Sequence, residues 1–529
     1  MGVVSASSIT GVRRASIAVL GAFALATAPL TASAAPTWGP LAPPNPFLGP
    51  DGTSTMHGDA GSSDATPLAG PGTGDVSIAQ YPLASACPTL LQGSDGLVVA
   101  LCTTMIGQNP TVHLLDPAAP TVPVGGTLAQ LQLTKGSLLG GVYAYLDSDD
   151  RLVVVDGTRH LLRIGHSQTN GKWELTVDSS IDLSSAIPDG DNVTGLSPDW
   201  DGRVWFATGG GIVGTVDSAG VARTVTLPAG EQVQNSISTS QLGTSVASTH
   251  ATYQLSADGA GQPHIDWRQP YDRGSARKPG QLSWGTGSTP TYFGPVTGSE
   301  YVTIVDSADG QVNLLVYRTA DGSQVCKEPV IPAADGAGGS AGVGSGSNTG
   351  SAGSLSGSVG GSVGSGSGSE NSPIAVGRSV FVASTYGYPY PTVPAGAGDA
   401  VPASAAFHGG MTRVDVDADG EGCATVWQNG VRSSAVPQLS TVDGNIYTMV
   451  RQGLGDTAAT TPLDSFAFAV IDPETGAVKT TKTATGTLLG DTLQMAALIT
   501  TDGRYLQGTI SGIAAVGPAG SGSGGSTGS

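Results

Sequence analysis

An all-β fold is what this sequence predicts: a single β-propeller of four-stranded blades, eight by count with seven as the alternative. Two observations lead there. Charged residues make up only 12% of the chain, while glycine and proline number 80 and 34. That composition suits many short strands and tight turns and does not suit helical bundles. A turn signature also recurs, each copy followed at once by a short apolar run, and no helical period runs beyond the N-terminal segment.

The elements follow in chain order. Residues 1–34 contain no acidic side chain; Arg13 and Arg14 precede an apolar run to Leu30, and Ala32-Ser33-Ala34 follow. Basic end, apolar middle and small residues form the pattern of a secretory signal. The apolar run is shorter than the roughly 20 residues a bilayer span needs, so no membrane span is expected. Residues 35–73 are rich in proline, glycine and serine and read as an extended N-terminal arm. The propeller is expected over 74–516.

Its clearest marks are Ser94-Asp95-Gly96, Asp149-Asp150-Arg151, Asp201-Gly202-Arg203, Asp443-Gly444-Asn445 and Asp502-Gly503-Arg504. Weaker copies sit at Leu242-Gly243-Thr244, Thr297-Gly298-Ser299 and Val376-Gly377-Arg378. Successive marks are mostly about 40 to 60 residues apart once the insertion described next is subtracted. That is the length of a four-stranded propeller blade. Residues 336–369 are almost entirely glycine, serine, alanine and valine, and read as a flexible loop insertion in the propeller. Residues 517–529 are similar material and read as a flexible tail.

Charge and cysteines narrow the partners. With 22 basic against 41 acidic side chains the chain carries a net charge of −19. Such a surface repels phosphate backbones and anionic headgroups, which argues against nucleic acid and membrane surfaces. The four cysteines allow three pairings. Cys87 and Cys102 flank one apolar strand and are paired by proximity, which leaves Cys326 with Cys423. Disulfides and a secretory signal agree on a secreted protein, of the medium or the cell envelope.

Several residues are candidates for chemistry. Asp415, Asp417 and Asp419 form the opening of a calcium loop, alternating carboxylates before a glycine turn, although its closing ligand is absent. The competing reading is a solvated edge strand running into a hairpin. His57 and Asp59, with Asp64 nearby, sit in the arm, where loops over one propeller face can carry a site. His160 and His166 flank one strand without a visible third ligand. Glu370 and Asn371 open a strand after the insertion, where a carboxylate and an amide can point into a central channel. Asp306 is a further carboxylate that could hold a channel cation there.

Two resemblances add to this. Asp472-Pro473-Glu474-Thr475-Gly476 and its flanks resemble the repeat of pyrroloquinoline-quinone-type propellers, but Thr480 stands where that repeat places its blade-docking tryptophan. The resemblance implies the fold and argues against a bound quinone. From Trp267 to about Val450 the chain is similar to a family of secreted bacterial propeller proteins, quinoprotein-like in shape, to which no reaction is assigned. The residues that carry it include Lys278-Pro279-Gly280-Gln281-Leu282-Ser283, Gly285-Thr286-Gly287-Ser288-Thr289, Glu370-Asn371-Ser372, Tyr386-Gly387-Tyr388 and Val436-Pro437-Gln438-Leu439-Ser440. The chain departs from it at Ile304 to Asp309, where an asparagine is expected after the first aspartate, which weakens a ligand role for Asp306.

The sequence therefore supports a secreted, monomeric binding or scaffolding protein, its partner a small molecule, glycan or protein. The alternative is a quinoprotein-like or lactonase- or lyase-like enzyme using a channel metal, for which calcium is the candidate. Convergence of acidic and amide side chains in the central channel is what would separate the two. Fold alone cannot do so.

Overall fold

Each of the eight turn signatures joins a first strand to a second one in its own sheet. The computed structural model describes residues 38–119, 126–136, 143–332, 366–453, 458–486 and 488–519. The signal-like segment, most of the insertion and the end of the tail lie outside the described residues. Eight sheets are formed, each a four-stranded antiparallel blade, and one carries an additional short strand. The first strands are Ser85–Gln92, Tyr145–Leu146, Val193–Pro198, Ser238–Ser240, Thr291–Phe293, Ile374–Val376, Gln438–Ser440 and Ala497–Ile499. They line the central channel, and we number blades 1 to 8 in that order. A single 3-10 turn at Leu488–Gly490 is the helical content among the described residues.

The core is a ring of interfaces. Eight apolar clusters each join one blade to the next. Between blades 5 and 6, for example, Val305, Leu314 and Val316 of one meet Val380, Val382 and Val414 of the other, all fully buried. Strands buried on both faces read as near-continuous apolar runs, which is how these segments appear in the sequence.

Tryptophans reinforce two of these interfaces. Trp267 of blade 4 covers Gly322 of blade 5 and donates from Nε1 to the Thr319 carbonyl at 2.9 Å. Trp427 of blade 6 covers Gly476 of blade 7 and donates to the Pro473 carbonyl at 2.8 Å. A Cβ at Gly476 would lie 2.6 Å from the Trp427 ring, so glycine is required there. The turn that resembles a quinoprotein repeat is thus docked by a tryptophan of the preceding blade, although Thr480 supplies none to the following one.

The acidic turns are structural. Asp199 accepts the amides of Asp201 and Arg203 at 2.9 Å each and the Trp205 indole at 2.9 Å. Asp217 and Asp258 hold their hairpins in the same way. A carboxylate that caps its own turn fixes the hairpin locally.

Both ends of the chain build blade 8. Its outermost strand is Val76–Pro82, paired antiparallel with Gly512–Pro518. The strand at 512–518 therefore reaches past the expected propeller boundary at 516. Cys87–Cys102 links the first two strands of blade 1, and Cys326–Cys423 links the outer strands of blades 5 and 6. Two disulfides fit an oxidising compartment. No helix among the described residues is long and apolar enough to cross a membrane.

Candidate functional site

The N-terminal arm is extended, as its composition implies, but it lies inside the ring. Its carbonyls accept from amides of the first strands: Thr53 from Gln92, Ser54 from Leu146, Ala60 from Thr239, Gly61 from Tyr292, Ser63 from Ala375 and Asp64 from Leu439. Asn45 adds a bond to the Pro198 carbonyl at 2.9 Å. Ala65–Thr66 then pairs in parallel with the first strand of blade 7. Channel-facing strands have no sheet neighbour, and the arm supplies the missing partners. It is a plug, seated toward the ends of the first strands that carry the turn signatures.

His57 and Asp64 lock the plug. The His57 Nδ1 lies 2.9 Å from Asp64 Oδ1, and both side chains are buried. Burial pushes the Asp64 carboxyl up, and His57 opposes that rise. Asp59 does not join them. It accepts from Ser63 Oγ at 2.5 Å and from the Ser63 amide at 3.1 Å, and burial raises it to about 6.

Above the plug, where the first strands begin, the channel opens as a funnel with a cavity of about 130 Å³. Met56 and His57 form part of its lining, with Tyr143, Asn235, Glu370, Asn371, Tyr390 and Gln494 among the polar groups. Leu282, Val436, Leu493 and Met495 supply apolar wall.

Glu370 is the unusual member. It is 8% exposed, and neither carboxyl oxygen has a side-chain partner or a well-formed hydrogen bond. Burial raises it to about 8, opposed only in part by a weak hydrogen bond from the Leu282 backbone amide and by the Arg277 charge. An unpaired buried carboxyl is costly, so a folded protein keeps one neutral or supplies it with a partner. Tyr143 and Tyr390 lie within its electrostatic reach, burial raises both phenols, and the Tyr390 hydroxyl is also unpartnered.

The fold positions Glu370 closely. Its amide donates to Thr385 Oγ1 at 2.9 Å, and that hydroxyl donates to the Gly280 carbonyl at 2.8 Å. Residues 366–369, expected to belong to the flexible insertion, are held in place here. Lys278 donates to the Ser367 carbonyl at 2.9 Å, and Ser369 Oγ donates to the Ala383 carbonyl at 2.9 Å. Gly287 leaves room for the side chain, since a Cβ there would lie 2.5 Å from Glu370 Oε2. Asn371 follows and donates to Gln494 Oε1 at 2.8 Å.

The other candidates do not meet at the funnel. Asp306 is fully buried and accepts from the amide and side chain of Asn313 at 2.7 and 2.8 Å, with Lys327 at 3.4 Å. Asp415 pairs with Arg413 at 2.9 Å, whereas Asp417 and Asp419 are exposed on the following hairpin. His166 contacts Asp95 at 2.9 Å and His160 contacts Thr158 at 3.0 Å, so the two do not share a ligand. No group of three or more His, Cys, Asp or Glu side chains is placed to hold a metal among the described residues.

Tyr143, Tyr390 and Gln494 were not singled out by sequence. They come from loops ahead of, or between, strands and belong to no motif; only the neighbouring Tyr386-Gly387-Tyr388 pointed toward Tyr390.

No protein-family model matches the chain. No curated protein matches it in sequence either. Among solved structures the chain is similar to BamB from Moraxella catarrhalis, with 13% identity and a TM-score of 0.36 over 67% of this chain and 93% of that one. It is also similar to a streptogramin B lyase, with 9% identity and a TM-score of 0.37 over 83% of this chain and 97% of that one. Virginiamycin B lyase from Staphylococcus aureus gives 10% identity and a TM-score of 0.36 over 84% and 99%. The eight-bladed ring stands on the strand pairing itself.

Proposed function

We propose that the chain is an exported binding protein that takes a small ligand in the funnel above its plug. The observation that carries this is Glu370: a buried carboxyl without a side-chain partner, in the wall of a cavity, its backbone held there by a dedicated set of hydrogen bonds. A structural carboxyl would be paired, as Asp306 is. The secretory pattern and the two disulfides support export to the medium or envelope.

A second reading is an acid–base enzyme of the lyase or lactonase type. It is favoured by the His57–Asp64 pair, in which a carboxylate orients an imidazole that also lines the funnel. A calcium ion held by Glu370 and Asn371 belongs to that reading.

The test is native mass spectrometry of the secreted protein beside a thermal-shift screen of small molecules. A retained mass, or a stabilising compound whose effect disappears in Asn235→Phe, is the expected result. Stabilisation that survives filling of the cavity would place the site elsewhere and sink the proposal.

A further inference from the structure

The chemistry of the funnel wall narrows the ligand. No side-chain donor or cation contacts the Glu370 carboxyl, and no lysine or arginine lines the cavity among the described residues. An anion would face that carboxyl across a wall that holds no cation, and the Arg277 charge already acts on Glu370 itself. A divalent metal ion wants six or more oxygens, usually with several carboxylates, and the cluster for it is missing among the described residues. The rings of Tyr143 and Tyr390 stand in the same wall, and aromatic faces attract cations. Met56, Met495, Leu282 and Leu493 give the cavity an apolar side that suits methyl or methylene groups. The volume, about 130 Å³, limits the guest. An apolar cavity of roughly 150 Å³ holds benzene, so about five or six heavy atoms fit here, with any further atoms at the open mouth.

We propose that the funnel is a receptor site for a compact organic ammonium ion, with the Glu370 carboxyl as its counter-ion and Tyr143 and Tyr390 as its aromatic wall. This rests on the reading of the funnel as a ligand site. Binding joins an ammonium to an ionised carboxylate, so it releases the proton that Glu370 otherwise holds. The charged and titratable groups facing Glu370 are Arg277, Tyr143 and Tyr390, with His57 and its partner Asp64 below. None of these need change state for the ammonium to bind.

The experiment is isothermal titration calorimetry on the full secreted chain with choline, ethanolamine and tetramethylammonium. The neutral carbon isostere of choline, in which a quaternary carbon replaces nitrogen, serves as the control. At least one ammonium probe is expected to bind at about tenfold or more higher affinity than the control, with proton release seen as a dependence on buffer ionisation enthalpy. Glu370→Gln is expected to remove at least tenfold of the affinity. Tyr390→Phe, which keeps the ring, is expected to bind, and Tyr390→Leu is expected to bind more weakly.

A neutral isostere that binds as tightly as every ammonium probe would overturn the inference, as would no binding of any ammonium probe. If a neutral or anionic compound instead fills the funnel and is lost in Asn235→Phe, the ligand class is wrong while the binding reading stands. If no compound of any class responds to Asn235→Phe, both fall.

Discussion

Glu370 makes the protein's stability depend on pH in a way that one substitution can isolate. Its carboxyl rises from an ordinary 4.5 to about 8 on folding. Between those values the folded chain holds a proton that the unfolded chain has lost, so stability is fully present below the lower value and falls as pH rises toward the upper one. The slope is about 1.4 kcal/mol per pH unit. Glu370→Gln keeps the shape without titrating. Its stability relative to the parent is therefore expected to grow with pH across that window and level off above it, read as urea midpoints at several pH values. A constant difference would show that the carboxyl is not desolvated. Arg451 offers the opposite case. It is buried with Asp464 at 2.7 Å and Asp491 at 3.1 Å. Arg451→Met leaves two buried carboxylates without their cation and is expected to cost about 3–5 kcal/mol in denaturant titration. Glu370 and Asn371 stood out in the sequence because a carboxylate and an amide that open a strand after the insertion can point into a central channel. Tyr143 and Gln494 did not, because their role comes from where the ring brings separate loops together.

The blades were legible and the plug was not, and the reason is the range of the forces involved. Asp199 caps its turn by accepting the amide of Arg203, so its hairpin is written in adjacent residues. The plug is held by carbonyls that meet strands from six blades, and a carbonyl has no sequence signature. Its proline, glycine and serine content reads as a free arm because those residues bury little apolar surface of their own. Polar backbone matched to otherwise bare strand edges is what secures it. The amides of Ala375 and Leu439, bonded to Ser63 and Asp64, are expected to exchange as slowly as amides inside the blades. His57→Ala removes the lock beside them and is expected to speed their exchange by about tenfold or more while leaving Gln92, at the Thr53 end, nearly unchanged. Equal acceleration at both ends would mean that the plug moves as one body and that His57 does not hold it locally.

At the scale of the whole molecule, closure of the ring and the long disulfide act on the same problem. Blade 8 needs Val76–Pro82 from one end of the chain and Gly512–Pro518 from the other, so the ring closes only when distant segments meet. Such closure costs chain entropy in proportion to the logarithm of the loop length. Cys326–Cys423, 97 residues apart, lowers that cost midway round the ring by tying blade 5 to blade 6. A loop of that length is worth about 4–5 kcal/mol in the chain-entropy treatment, against about 3 kcal/mol for the 15-residue separation of Cys87 and Cys102. Replacing Cys326 and Cys423 by alanine is therefore expected to destabilise more than replacing Cys87 and Cys102, in denaturant titrations of the two double variants. The Gly/Ser tract lies within the longer loop, yet deleting residues 336–362 removes less than a third of it. A logarithmic term changes by only a few tenths of a kcal/mol over that range, so the deletion variant is expected to unfold close to the parent. A large loss on deletion would show that the tract packs against the ring, and an equal cost for both disulfides would show that strand packing, not chain entropy, sets what each one contributes.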